Sequence, residues 1–174
     1  MMILEDFDMK LELKSIKHAQ WKSEETHCYD AKLYVDGKPF ALVGNHGQGG
    51  ADTEYQDPRF KGDWSKKLRE VEQYCREAYK FKGYKGVWIN GSMEHACHVL
   101  LEDYLEIKHY RPFLKQICGV TNGRMWSYGK NLKPTKENMD RLRENGEVFL
   151  NELPEDEAIA KIKATAYVRK GEAT

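Results

Sequence analysis

The sequence has no excess of charge of either sign: 28 Lys and Arg balance 28 Asp and Glu over 174 residues. A broad nucleic-acid-binding surface shows as a basic excess, and a DNA mimic as an acidic one, so neither is expected; local patches stay open. No apolar run approaches the roughly 20 residues of a membrane-spanning helix. The start, MMILEDFDMK, is acidic and lacks the basic lead and apolar centre of a secretory signal. A cytoplasmic protein without a membrane association is the expectation. The cysteines Cys28, Cys75, Cys97 and Cys118 are far apart, with no Cys-x-x-Cys pair, which argues against the usual structural zinc site. The last three fall on apolar stripes that read as helical, as reduced small hydrophobes. The Gly-Lys-Ser/Thr of a phosphate loop, the dinucleotide fingerprint and the His-Glu-x-x-His metalloprotease pattern are all absent. The serines lack the context of a nucleophile elbow. No cofactor is expected, and a binding role is favoured over catalysis.

The clearest structural signal is His27 to Gly50, HCYDAKLYVDGKPFALVGNHGQGG. Asp36-Gly37 is a preferred pair for a two-residue type I′ turn, whose central residues both need positive φ. With those two in the loop, Val35 faces Lys38, Leu33 faces Phe40, Ala31 faces Leu42 and Tyr29 faces Gly44. Tyr29, Ala31, Leu33, Val35, Phe40 and Leu42 then share one face. Pro39 has no N–H, so its strand is expected to start at an edge or irregularly. Carried further, this register sets Cys28 opposite Asn45 and His27 opposite His46.

Gly44-Asn45-His46-Gly47-Gln48-Gly49-Gly50 follows. Its glycines allow tight turning or close approach to a ligand, and its amides can form an anion-binding concavity. The alternative is an ordinary connection between sheet and helices.

Before the hairpin, residues 9–14 alternate as a strand, with a bulge near Ser15 because Ile16 breaks the parity. Residues 1–8 read as a disordered lead-in, with Met9 an alternative start. Residues 52–61 read as a surface loop. Asp63 caps a predicted helix from Trp64 to about Phe81, with Leu68, Val71, Cys75 and Ala78 on its apolar side. Residues 82–91 form a connector in which Val87-Trp88-Ile89 is a short strand or a buried plug. Ser92 caps a second helix with a wide apolar face. Helical turns run from Pro112 to Gly119, and residues 124–128 form a strand. A third helix opens at Pro134-Thr135, with Met139 and Leu142 inward, and ends at Gly146. Residues 147–151 read as a short buried strand. A last helix starts at Pro154, with Ala158, Ile159, Ile162 and Ala166 on one side, and a frayed tail starts at Arg169. Strands first, then helices, then a β-α-β-α segment indicate a single α+β domain, with an antiparallel meander and helices on one face.

Three constellations can carry chemistry. His27, Cys28 and His46 cluster if the register holds; Asp52 or Glu54 is the nearest third ligand for a metal, and Asn45, Gln48 and the glycine amides can instead line a polar pocket. Glu94, His95, His98 and Glu102 share a helix face, with His95 in the first turn where an anion can bind. Against these stand ordinary surface histidines and helix-surface ion pairs. Trp64, Trp88, Trp126 and Tyr128 lie near Lys66, Lys85, Arg124 and Lys130, a combination that suits base stacking, a protein interface or simple core packing. The ligand-binding candidates are therefore His27, Asn45, His46, Gly47, Gln48, Gly49, Gly50, His95 and His98.

The run Ser23 to Tyr29, the segment Leu33 to Val43 with its Gly-rich follow-on, and Phe149 to Pro154 with Asp156-Glu157-Ala158 resemble small proteins of bacteriophages, prophages and plasmids. No activity is established for that group. The resemblance implies a mobile-element accessory protein acting in the host cytoplasm by binding a host protein or complex, in the manner of an anti-CRISPR or other anti-defence inhibitor. A nucleotide- or anion-sequestering protein using the 44–50 loop is the second expectation. A metal-dependent hydrolase is the third.

Overall fold

The computed structural model describes residues 9–129, 131–143 and 148–167. The lead-in 1–8, Lys130, the Gly146 helix end, Glu147 and the tail from Arg169 lie outside the described residues. The chain is α+β and forms two compact units, 1–102 and 103–174.

The first unit is built on a four-stranded antiparallel sheet in sequence order: β1 (Leu11–His18), β2 (Cys28–Val35), β3 (Lys38–His46) and β4 (Thr53–Gln56). The turn between β2 and β3 is the expected one, with φ of 50° at Asp36 and 75° at Gly37. Asp36 also accepts from the Lys10 amide at 2.9 Å and donates its own amide to the Lys10 carbonyl, which fixes the turn to the start of β1. The expected bulge near Ser15 is present. The β1–β2 register shifts between Lys14 and Lys17, and Ser15 has a φ of 54°.

The hairpin register departs from expectation after two pairs. Val35 faces Lys38 and Tyr34 faces Pro39, but Leu33 then faces Ala41, Ala31 faces Val43, Tyr29 faces Asn45 and Cys28 faces His46. Phe40 is the extra residue of a β-bulge beside the proline. It stays buried, stacked on Trp64 at 4.7 Å and edge-on to Phe60 at 5.5 Å. Beyond the bulge the parity of β3 is reversed. Ala41, Val43 and Asn45 now point inward, whereas Leu42 is half-buried on the other face and His46 is exposed. His27 therefore does not face His46.

The polar stretch 52–61 is not all loop, since Thr53–Gln56 pairs with β3 from Gly44 to Ala41. α1 (Trp64–Ala78) starts at Asp63, which accepts from the Lys66 amide, and stops short of Phe81. It buries Val71 and Cys75, while Ala78 is exposed. β5 (Phe81–Lys82) and β6 (Trp88–Ile89) form a small hairpin. The strand at 88–89 is thus present, but as an exposed element rather than a buried plug. α2 (Met93–Tyr110) begins with the Ser92 hydroxyl accepting from the His95 amide. Met93, Ala96, Cys97 and Leu101 are its buried residues.

In the second unit the expected helix end at Gly119 is instead a strand. A short 3-10 turn (Arg111–Lys115) leads into β7 (Cys118–Thr121), which pairs with β8 (Arg124–Ser127) around Asn122-Gly123, both at positive φ. Cys118 is thus buried on a strand, not a helix. α3 (Lys136–Leu142) buries Met139. The strand expected at 147–151 reduces to one bridge, Phe149 to Gly119, followed by a 3-10 turn at Leu150–Glu152. α4 (Glu155–Lys163) buries Ala158, Ile159 and Ile162, and Ala166 lies beyond it in β9 (Ala166–Tyr167), parallel to β8. The Asn151 amide donates to the Leu114 and Gln116 carbonyls, and its oxygen accepts from the Cys118 amide.

The bulge has a mutational signature. Val43→Ala removes a buried side chain and is expected to cost about 1.5–3 kcal/mol, whereas Leu42→Ala, the larger truncation, costs under about 1 kcal/mol. Denaturant melts of the two variants check the order, which would be inverted in an uninterrupted ladder.

Candidate functional site

Because β3 turns Asn45 inward, its side chain becomes a four-way junction. The amide donates to the Gly50 carbonyl at 2.8 Å and to Asp52 at 2.9 Å; the oxygen accepts from the Thr26 hydroxyl at 2.7 Å and the Gly47 amide at 2.8 Å. The other Asp52 oxygen accepts from the Tyr29 hydroxyl, and the Asp52 amide donates to Glu94 of α2 at 3.0 Å. Burial first, and this bond to Asp52 second, push the Tyr29 phenol above its ordinary value, so it stays protonated.

The glycine-rich loop serves this junction. Gly47 is buried at a φ of 86°, and a Cβ there would run into the Lys22 carbonyl and the Cys28 side chain. The Gly47 carbonyl accepts from the amides of Glu24 and Glu25, and the Gly49 amide reaches Thr26. The loop amides of Gly47 and Gly49 are therefore engaged by side chains of this chain.

The two histidine groups meet in part. His27 Nε2 lies 2.6 Å from Glu102, and its Nδ1 lies 3.2 Å from His18 Nε2. An ionised carboxylate only accepts, so the His27 Nε2 carries the proton toward Glu102, and its Nδ1 shares a hydrogen bond with His18. Both ring nitrogens of His27 are thereby occupied. His98 is 3.8 Å from Glu102 and lies at 5.9 Å, ring to ring, from His27. His95 packs on Phe81 at 4.3 Å; burial, then the neighbouring His98, lower its pKa from the ordinary histidine value. Ser23 sits within 3.4 Å of His18, but its hydroxyl donates to the Ala19 carbonyl and accepts from the Cys28 amide. It braces the β1–β2 connection, and its proton is already committed.

Together these elements line an open recess of about 520 Å³. Of the residues singled out in the sequence, His27, Asn45, Gly50, Asp52, Glu94, His95 and His98 line it. His46 and Gln48 lie at a different depression with Trp21, Lys22 and Cys28. Glu24 and Glu25 also line the recess, and no Lys or Arg among the described residues does. Among the described residues no group of three or more His, Cys, Asp or Glu is placed to hold a metal ion. Sequence reasoning missed His18, Ser23, Thr26 and Tyr29. Only Tyr29 carried a signal, as an inward residue of β2.

The carboxylates act on one another. Glu54 pairs with Val43, and partial burial together with Glu72, Glu94 and Asp52 pushes its carboxyl up to about 7. Burial, reinforced by Glu72, pushes the Cys75 thiol up to about 12, and burial does the same for Cys118, so these thiols are inert at neutral pH.

A second feature is the β5–β6 hairpin. Tyr84 is 87% exposed, Val87 64%, Trp88 63% and Ile89 44%. Phe81 anchors it on His95, and Lys85 and Gly86 at its tip both have positive φ. Lys82 lies over the Trp88 ring and Lys85 over Tyr84, and residues 80–91 contain no acid. Two of the other aromatics flagged in the sequence pack inward, Trp64 on Phe40 and the buried Trp126 on Phe149 and Tyr128.

No protein-family model, curated protein or solved structure shows significant similarity to this chain. No helix among the described residues is long and apolar enough to cross a membrane.

Two outcomes are expected here. Asn45→Ala strands the Gly47 amide, the Gly50 carbonyl and one Asp52 oxygen, and lowers stability by about 2–4 kcal/mol in chemical denaturation. Glu54 has a folded pKa above its ordinary 4.5, so the stability it contributes is present below that value and is lost as pH rises through about 7. Glu54→Gln is expected to melt with the wild type near pH 4 and above it at pH 8. Solvent screening of this partly exposed group holds the gain to roughly 1 kcal/mol.

Proposed function

We propose that this chain is a binding protein that engages a protein partner through the β5–β6 hairpin. The observation that carries the reading is four large apolar side chains exposed within the short span 84–89, on a backbone fixed by a tight turn. Isolated exposed apolar residues are ordinary, whereas a contiguous group with Trp and Tyr is the composition of interface hot spots. A rigid hairpin presents them at little cost in conformational entropy. Lys82 and Lys85 lie over the Trp88 and Tyr84 rings, so the complementary surface is an apolar cleft with an acidic rim. The resemblance to phage and plasmid proteins supports the cytoplasm of a bacterial host as the setting, and inhibition of a host defence complex as the consequence of binding. The zero net charge weighs against nucleic acid as the partner.

Trp88→Ala and Tyr84→Ala are the test, because both side chains are mostly exposed and their loss leaves the fold intact. A host protein captured by the wild type should bind each variant about 30-fold more weakly, the equivalent of about 2 kcal/mol. Affinity capture with titration of the purified partner reads this. A partner held equally by the double variant sinks the proposal, as does capture of nucleic acid alone.

A further inference from the structure

We infer that His18 and His27 form a pH-sensitive clasp at the neck of the 19–27 connection, shut at neutral pH and opened in mild acid, when His27 keeps Glu102 and gives up His18. His18 ends β1, His27 directly precedes β2, and Glu102 stands on α2. The three are in series. Glu102 accepts from His27 Nε2 at 2.6 Å, and His27 Nδ1 faces His18 Nε2 at 3.2 Å. Two facing imidazole nitrogens bond only while a single proton lies between them, whichever ring carries it. The pair keeps this bond with both rings neutral and with one ring charged. With both charged, N–H points at N–H and the bond is lost. That second charge strengthens the bond from His27 to Glu102. Protonation thus exchanges partners rather than loosening the whole cluster.

Counting protons fixes the sign. The shut clasp holds at most one proton beyond neutrality and the open pair holds two, so falling pH favours opening. An ordinary imidazole takes up its extra proton at about pH 6.5, which puts the change within about pH 5–7. The surrounding charges act on the midpoint. On α2, His98 lies 3.8 Å from Glu102 and 5.9 Å from the His27 ring, so its own charge draws on the same carboxylate and lowers the midpoint. His95, one turn earlier, packs on Phe81. Glu24 and Glu25 of the connection, Asp52 of the β3–β4 loop and Glu94 of α2 line the recess with His27 and raise the midpoint. Lys17 on β1 is registered opposite Asp30 of β2, and Lys22 of the connection lies over the Trp21 ring. These charges move the midpoint, but they do not return the lone pair that the His18–His27 bond loses. Beside the clasp the Ala19 amide donates to the Cys28 carbonyl at 2.9 Å, and Ser23, within 3.4 Å of His18, bridges the Ala19 carbonyl and the Cys28 amide. Opening shifts closure of the neck onto these bonds and spares the Thr26 bond to Asn45.

Nuclear magnetic resonance of the intact chain tests the clasp. Cross-relaxation between the His18 and His27 rings, 5.1 Å apart, is expected at about pH 7.5 and should fall about tenfold by about pH 5. Protection of the Ala19 amide, corrected for the intrinsic pH dependence of exchange, should fall about tenfold with it. His18→Gln is the control, because a carboxamide offers its N–H to a neutral His27 and its oxygen to a charged one. In that variant Ala19 protection should stay within about twofold over the same range. Glu102→Gln still accepts from His27 but no longer offsets its charge, so opening should move to lower pH. His18 and Glu102 are both partly exposed, and a thermal melt at neutral pH checks that the variants fold; if His18→Gln does not, the ring contact in the wild type and Glu102→Gln decide. Ring contact that persists in mild acid overturns the inference. So does a loss of Ala19 protection that survives in His18→Gln, a loss that spreads through the β2–β3 ladder as global unfolding, or an unmoved midpoint in Glu102→Gln.

Discussion

One unpaired residue in β3 decides what the site contains. The insertion of Phe40 between Pro39 and Ala41 reverses the parity of every later position of the strand. Without it Gly44 and His46 would share the inner face. With it Asn45 lies inside, opposite Tyr29, and His46 is turned out to solvent. Three causes converge on that bulge. Pro39 cannot donate to a ladder, the Phe40 ring finds Trp64 and Phe60, and the Asp57 amide donates to the Phe40 carbonyl at 2.9 Å. Asp57 is itself locked by a two-pronged bond from Arg59, which holds its carboxyl down to about 2.

Once Asn45 is inside, its polar atoms must be satisfied, because a buried amide without partners is costly. The chain meets this need by folding two connections around it. The β1–β2 connection brings Thr26, and the glycine-rich loop brings Gly47, Gly50 and Asp52. The glycines are explained by this packing: Gly47 must pass against the Lys22 carbonyl in a conformation other residues rarely adopt. The same convergence engages both Asp52 oxygens, one with Asn45 and the other with Tyr29, and ties the Asp52 amide to Glu94. It also leaves His27 with both ring nitrogens engaged, so this imidazole is a brace between β2 and α2.

The hairpin at 81–89 shows the opposite logic. Its apolar residues have no place in the core, because the span is only two residues of pairing on each side of a tight turn. Gly83 lies under the Ile89 side chain, and Gly91 packs against the Cys75 and Tyr79 carbonyls, so the base is fixed while the tip stands in solvent. Tyr84 and Trp88 are therefore left exposed. The segments near the two ends do different work: Thr26 and His27 brace the site, and Phe149, Leu150 and Asn151 close the core of the second unit.

Local chemistry is enough to read the Asp36-Gly37 turn, the bulge at Ser15, the caps at Asp63, Ser92 and Thr135 and the α+β order of elements. In each case the deciding partners lie within a few residues or the backbone itself demands the residue type. The hairpin at Asn122-Gly123 carries an equally plain turn pair in the sequence, but Gly119 reads there as a helix end; its true reason is the Trp126 ring lying over it. The site is legible in the sequence only as a list of residues. His27, Asn45, His95 and His98 do line the recess, yet alternation groups His46 with them because it cannot register an inserted residue. Parity after Phe40, the Asn45 junction and the His27–Glu102 pair all depend on contacts between segments 19 to 75 residues apart, and such contacts exist only once the sheet and the helices have come together.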